Sequence, residues 1–104
     1  MTTPNFKNMP AGAIPVYQGV ASVAVLTASG QVKTGAGVFG GIFVGIAGSG
    51  ATVSVYDGTS TSGTLLWTMT ANAQVEATAG VIFANGLYVD IAATTAPTIM
   101  VGYF

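Results

Sequence analysis

Short alternations of apolar and polar residues run from residue 20 to residue 104 and form the clearest pattern in the sequence. These runs are rich in Val, Ile, Thr, Tyr and Phe, and Gly-, Asn- and Pro-containing turns separate them. No stretch sustains a helical period. Eight candidate strands cover residues 20–27, 31–36, 38–47, 51–57, 64–70, 80–84, 87–92 and 98–104. The pattern predicts an all-β fold, an antiparallel β-sandwich of about eight strands with a jelly roll as the leading topology.

Alternation within the predicted strands also assigns their faces, because successive side chains of a strand point to opposite sides of the sheet. Trp67 is expected to be the largest member of the core. The residues expected to face the core are Val53, Val55, Leu65, Trp67, Met69, Leu87, Val89, Ile91, Ile99, Val101 and Tyr103.

The third candidate strand, residues 38–47, is apolar on both faces. Only one face of each sheet in a two-layer sandwich meets the core, so the second apolar face is expected to press against another subunit. Glycines in and beside this run would allow bends or close backbone approach. One predicted face carries Val38, Ile42, Val44 and Ile46, and the other carries Phe39, Phe43 and Ala47.

Residues 1–19 are predicted to form an extended arm before a single sandwich domain, residues 20–104. Three prolines oppose a helix here and favour extended conformations in the residues that precede them. The arm is either a disordered terminus or a segment that docks on a neighbouring subunit. Docking would explain its four apolar interface candidates, Phe6, Met9, Ile14 and Tyr17. We expect no signal peptide, because residues 1–19 contain three prolines and no continuous apolar run of signal length. We expect no transmembrane helix, because the apolar run at 37–48 is too short to cross a bilayer.

The small number of charged residues restricts the chemistry available to this chain. It has two lysines, three acidic residues, no histidine and no cysteine. Without His or Cys, the common Ser-His-Asp, Cys-His, zinc and haem sites cannot be built within the chain. Two lysines cannot neutralise a nucleic-acid backbone, and a net charge of −1 does not attract an anionic membrane. We expect no enzyme activity, no cofactor, and no nucleic-acid or membrane partner.

The segment "YDGTSTSGT" at 56–64 raises the question of whether Asp57 belongs to a site. Aspartate, glycine and hydroxyl side chains at the end of a strand are typical of a turn, so we predict a turn. A weak calcium site is the alternative. Asn85-Gly86 is a second predicted turn, and "GSG" at 48–50 a predicted hairpin connection. A carboxylate pair for glycoside hydrolysis would require folding to bring together two of Asp57, Glu76 and Asp90.

Four aromatic residues, one of them in the arm, give two further alternatives. Tyr17, Tyr56, Trp67 and Tyr88 could form a sugar-binding platform on a sheet. The alternative is that these four residues lie in the core or at a subunit interface. The interface candidates after the arm are Phe39, Phe43, Tyr56 and Tyr88.

The segments "ATVSVYDGTSTSGTLLWTMT", "VIFANGLYVDIA" and "TIMVGYF" together resemble small β-sandwich virion proteins of tailed bacteriophages. The resemblance covers residues 51–104 and consists of turn chemistry and strand pattern. It implies a jelly-roll-like, oligomeric and non-enzymatic protein on the capsid or in a tail or spike assembly. The family pattern contains no catalytic residues that could be carried over.

These considerations lead to the expectation of a capsid decoration or cement protein on the virion surface. It would form a closed homotrimer and clamp the major capsid protein, or another virion protein, through its arm and apolar faces. Binding the assembled lattice but not the dissociated coat would stabilise the lattice by mass action. The alternative is a carbohydrate- or receptor-binding module of a tail or spike assembly.

Overall fold

The computed structural model describes residues 22–104, which form eight β-strands and no helix. The strands are β1 (Ser22–Leu26), β2 (Gly30–Thr34), β3 (Gly37–Ile46), β4 (Thr52–Asp57), β5 (Thr64–Thr70), β6 (Glu76–Phe83), β7 (Gly86–Ala92) and β8 (Thr98–Tyr103). Each coincides with one predicted strand. The largest difference is at β6, which begins at Glu76 because residues 76–78 already pair with β3.

Two four-stranded antiparallel sheets make up the sandwich. The first sheet has the order β1-β8-β3-β6, and the second has the order β2-β7-β4-β5. The pairs β1–β8, β2–β7, β3–β6 and β4–β5 are nested, as in one long hairpin rolled up on itself. This is the strand order of a jelly roll. The predicted all-β sandwich and its jelly-roll topology are therefore confirmed.

Only β4 and β5 are both consecutive in the chain and paired within one sheet. Every other connection among the described strands crosses between the sheets. The prediction of a hairpin at 48–50 was therefore wrong: this stretch carries the chain from β3 to β4, and Ser49 forms an isolated bridge with Thr95. The turn predicted at Asn85-Gly86 is present, but it too joins the two sheets.

The core lies between the sheets and consists of side chains at alternate positions of the central strands. Burying each of its larger side chains contributes roughly 1.5–3 kcal/mol to stability. Of the residues predicted to face the core, Ile91, Met69 and Tyr103 are partly buried against it. The fully buried ones are Val53, Val55, Leu87, Val89, Ile99 and Val101, as predicted.

The predicted face of Leu65 is wrong because β5 contains a bulge. Val55 pairs with Trp67 while Tyr56 pairs with Leu65, so Leu66 is an extra residue on β5. One extra residue inverts the face of the residues beyond it. Leu66 consequently packs against the core, and Leu65 is 52% exposed on the outer side.

Trp67 packs against the core, as predicted, but it is only partly buried and is not among the fully buried core residues. It lies on β5, the edge strand of the second sheet, so neighbours cover it from one side only. Its indole is half-buried and lies 6.1 Å from the Phe39 ring, measured between centroids, at 57°. Its Nε1–H is buried without a hydrogen-bond partner in the described part of the chain. The largest fully buried side chains are Phe39 and Phe83.

Two register shifts in β3 also change its predicted faces. Gly40 is the extra residue between Phe39 and Gly41 against β8, and Gly45 is the extra residue between Val44 and Ile46. The first shift turns Phe39 into the core, where it is fully buried, and the second turns Ile46 outward. Phe39 was therefore wrongly predicted as an interface residue.

The bulge between Phe39 and Gly41 requires glycine at residue 41. Gly41 has a φ of 140°, and a Cβ there would collide with the carbonyl oxygen of Ala77 on β6. We expect Gly41→Ala to lower the free energy of unfolding by more than about 1 kcal/mol, measured by urea denaturation. Gly80→Ala is the matched control on β6, because a Cβ at Gly80 meets nothing within 4 Å. Its effect should stay within about 0.5 kcal/mol. An equal loss of unfolding free energy in the two variants would show that the bulge does not require glycine at residue 41.

Candidate functional site

The two outer faces of the sandwich differ in chemistry. The outer face of the first sheet is apolar over much of its area, which is unusual for an antiparallel sheet with one side in water. Ile82 is 76% exposed and Val25 63% exposed on this side. Leu65 apart, the exposed large apolar residues among 22–104 lie on the first sheet or directly before β6; they are Val23, Val25, Phe43, Ile46, Val75 and Ile82. We call this surface the apolar face.

A depression of about 350 Å³ lies on the apolar face. Glycines of β3 and β8 form its floor, because Gly41 pairs with Gly102 and neither has a side chain. Among residues 22–104, Glu76 is the only lining residue with a charged side chain. The walls are Val23, Phe43, Met100 and Phe104.

Gly102 leaves this depression open although the surrounding chain would accept a side chain there. A Cβ at Gly102 would meet only the Gly41 carbonyl oxygen, at 3.9 Å, which is an ordinary contact. Its φ is also outside the region that favours glycine. The space above Gly102 is therefore not required by packing within residues 22–104.

The outer face of the second sheet is mostly polar. Its one aromatic feature is a row across three strands, where Tyr56 pairs with Tyr88 on one side and with Leu65 on the other. The next row holds Ser54, whose Oγ lies 3.4 Å from Thr68 Oγ1, and Asp90. Both tyrosines thus occupy an outer face, as predicted, but Trp67 faces the core side and Tyr17 lies outside the described residues.

Asp57 holds a turn, as predicted from the sequence. Its carboxylate oxygens accept hydrogen bonds from two backbone N–H groups of the β6–β7 connection, Ala84 at 3.0 Å and Asn85 at 2.8 Å. The hydrogen bonds from Ala84 and Asn85, with a smaller one from Gly86, lower the pKa of Asp57 against an opposing effect of burial. The carboxylate therefore ties the β4–β5 hairpin to a crossover between the sheets.

Gln31 reinforces the same corner of the sandwich from β2. Its Nε2 donates to the carbonyl oxygens of Gly58 at 3.1 Å and Leu87 at 3.3 Å. The Gly58 N–H in turn donates to the Gly86 carbonyl at 3.0 Å. These contacts make the region a hydrogen-bonded structural corner rather than an open loop.

The acidic residues are not assembled into one site. Glu76 lies on the first sheet, whereas Asp57 and Asp90 lie on the second. Asp57 binds backbone N–H groups, and Asp90 Oδ1 accepts from Ser29 Oγ at 3.2 Å. Among residues 22–104 no three His, Cys, Asp or Glu side chains lie close enough together to hold a metal ion.

The interface candidates from the sequence are only partly placed. Phe6, Met9, Ile14 and Tyr17 lie outside the described residues. Phe43 is 42% exposed on the apolar face, while Tyr56 and Tyr88 lie on the opposite face. Sequence reasoning missed Val23, Val25 and Ile82, although the two valines alternate with Ala24 and Leu26 in β1 and Ile82 lies between Val81 and Phe83 in β6.

The described residues contain no helix with the length and apolarity needed to cross a membrane. Comparison of the chain with protein-family models, with curated proteins and with solved structures gave no match. Functional inference therefore depends on the two outer faces.

The Asp57 corner predicts a pH dependence of stability. Because folding lowers the pKa of Asp57, its contribution to stability is present above the pKa of the unfolded chain and is lost as the pH falls through the folded value. We expect the free energy of unfolding to decline below about pH 4, and Asp57→Asn to weaken that decline and lower stability at pH 7.

Urea denaturation at a series of pH values between 2 and 7 would measure this effect. Asp90→Asn is the control, since it removes a different carboxylate, its amide oxygen can still accept the Ser29 hydrogen bond, and the Asp57 contacts stay intact. An unchanged pH dependence in Asp57→Asn would show that the corner does not depend on this charge.

Proposed function

We propose that this protein is a non-enzymatic structural subunit that functions within an assembly. The observation that carries the proposal is the apolar face, which exposes Val, Ile and Phe side chains and contains an open depression lined in part by Val23 and Phe43. Large contiguous apolar surfaces on small domains typically mark interaction sites. Burying this face against a partner removes its side chains from water and stabilises the complex.

The low charge of the chain supports the same proposal. Charged residues make up 5% of the sequence, far below the roughly 25% of an average soluble domain. Few charges remain to keep the apolar face soluble by itself. A subunit covered on this side by its neighbours requires less charge than an isolated monomer does.

Within this class we propose a capsid decoration or cement protein of a tailed bacteriophage, arranged as a closed trimer on the coat lattice. The support is the resemblance of residues 51–104 to such virion proteins, together with the jelly-roll sandwich. Because it would bind the assembled lattice and not the free coat protein, it would shift the equilibrium towards assembled capsid. The partner is the major capsid protein or another virion protein.

This proposal predicts that a charge on the apolar face prevents assembly. Val25→Lys places an ammonium group at an exposed position of this face, where burial in an interface would desolvate it. We expect wild-type protein to remain oligomeric on dilution and Val25→Lys to fall towards the 10.3 kDa monomer, measured by light scattering after size exclusion. The wild type, and not the variant, should also co-sediment with capsids of the coat protein encoded in the same genome.

Thr68→Lys is the matched control, since Thr68 is exposed on the opposite sheet. It should keep the mass and the co-sedimentation of the wild type. A wild-type protein that is monomeric at every concentration and does not bind capsids would refute the proposal. Oligomers without capsid binding would retain the structural subunit and remove the capsid assignment.

A second candidate function is carbohydrate or receptor binding on the outer face of the second sheet. It is favoured by the Tyr88–Tyr56–Leu65 row beside the hydroxyls of Ser54 and Thr68. Sugar rings stack on aromatic side chains while nearby hydroxyls and carboxylates fix their orientation.

This second function predicts that the tyrosine row carries any glycan affinity. A glycan array would show binding that Tyr56→Ala or Tyr88→Ala lowers at least about tenfold, equivalent to 1.4 kcal/mol or more. Phe43→Ala, on the apolar face, is the control and should not change it. Absence of wild-type binding across the array would eliminate this candidate.

A further inference from the structure

We propose that the depression on the apolar face binds Phe6 and Lys7 from the N-terminal segment of a second copy of this chain. Phe6 would lie over Gly41 and Gly102, and Lys7 would pair with Glu76. The inference rests on the proposed function as a self-assembling subunit, and it names the contact between copies.

The lining of the depression matches an aromatic side chain. Its floor is glycine backbone, and Val23, Phe43 and Met100 stand around it. An aromatic ring fits a flat floor between apolar walls and buries a large area there. The open space above Gly102, which packing within residues 22–104 does not require, is the natural place for such a ring.

Charge complementarity selects Phe6 among the apolar residues before Ser22. Lys7 is the only charged side chain in residues 1–21, and it directly follows Phe6. Among the described residues that line the depression, only Glu76 has a charged side chain, and that side chain is exposed. Pairing of Lys7 with Glu76 therefore selects Phe6 as the apolar residue that enters the depression, and it sets the orientation of the segment.

The direction of β1 favours a second copy over the same chain. Ser22 pairs with Tyr103, whereas Val25 pairs with Met100, in the row that continues through Phe43 to Glu76. Ser22, the first described residue, therefore lies three positions before the β1 residue whose row leads to Glu76.

Reaching Glu76 in the same chain would require a reversal between Lys7 and Ser22. Pro10 and Pro15 favour extended conformations in the residues before them. Extended, the stretch from Lys7 to Ser22 spans up to about 50 Å, which is sufficient to reach a neighbouring copy.

Disulfide trapping tests the contact in a chain that has no native cysteine. Full-length Asn8→Cys and affinity-tagged full-length Thr78→Cys would be mixed and oxidised mildly, and the linked peptides identified by mass spectrometry. Asn8 follows Lys7, and Thr78 lines the depression on the same strand as Glu76. We expect the mixed disulfide to form at least tenfold faster than with Thr68→Cys, an exposed threonine on the other sheet.

Two pairs of variants test the chemistry of the contact. Lys7→Glu or Glu76→Lys alone should reduce the trapping rate severalfold, and their combination should restore it. Gly102→Val should block trapping by filling the depression. Gly80→Val, at an exposed glycine of β6 outside the depression, should not.

The outcomes separate this inference from the proposed function. Equal trapping at Thr78 and Thr68, or no trapping, in a protein that light scattering shows to be oligomeric would overturn the N-terminal contact and leave the assembly proposal standing. A disulfide that forms only within a doubly substituted single chain would overturn the assignment to a second copy. A monomeric wild type would remove both.

Discussion

The rest of the structure depends on β3, which carries apolar residues on both of its faces. This strand pairs with β8 and β6, so it is central in the first sheet, and it must fill the core while its other face remains outside. Gly40 and Gly45 shift the register at two points, which places Phe39 and Val44 in the core and Phe43 and Ile46 outside. The sandwich core and the apolar face are therefore two consequences of one glycine-rich strand.

The rolled hairpin brings together residues that are far apart in sequence, and side chains at its corner fix that arrangement. Asp57 ends β4 and accepts hydrogen bonds from Ala84 and Asn85, so the hairpin tip is fastened to the crossover that starts β7. Gln31 adds β2 to the same corner. One buried valine or leucine can pack against another with little specificity, whereas the hydrogen bonds at this corner join particular residues. These hydrogen bonds therefore define the strand arrangement more strictly than apolar packing alone.

The sequence predicted the strands well because a period of two survives in almost every run, and it predicted the turn at Asp57 because turn chemistry is local. It did not predict which N–H groups Asp57 binds, since these follow from the strand order. It misplaced Leu65 and Phe39 because a single bulge residue inverts all positions beyond it. Glycines in the sequence indicated the bends in β3, but no glycine or other signal indicated the bulge at Leu66 in β5.

The difference between the outer faces is better explained by assembly than by folding. A lone sandwich gains nothing from leaving Val23, Val25 and Ile82 in water, and a polar residue at each position would preserve the strand and its inward partner. The second sheet shows that this chain can make such a face, with Ser54 and Thr68 in equivalent outer positions. Since both sheets meet the same core, packing within the sandwich does not account for the unequal outer faces, whereas the assembly that we propose would account for them.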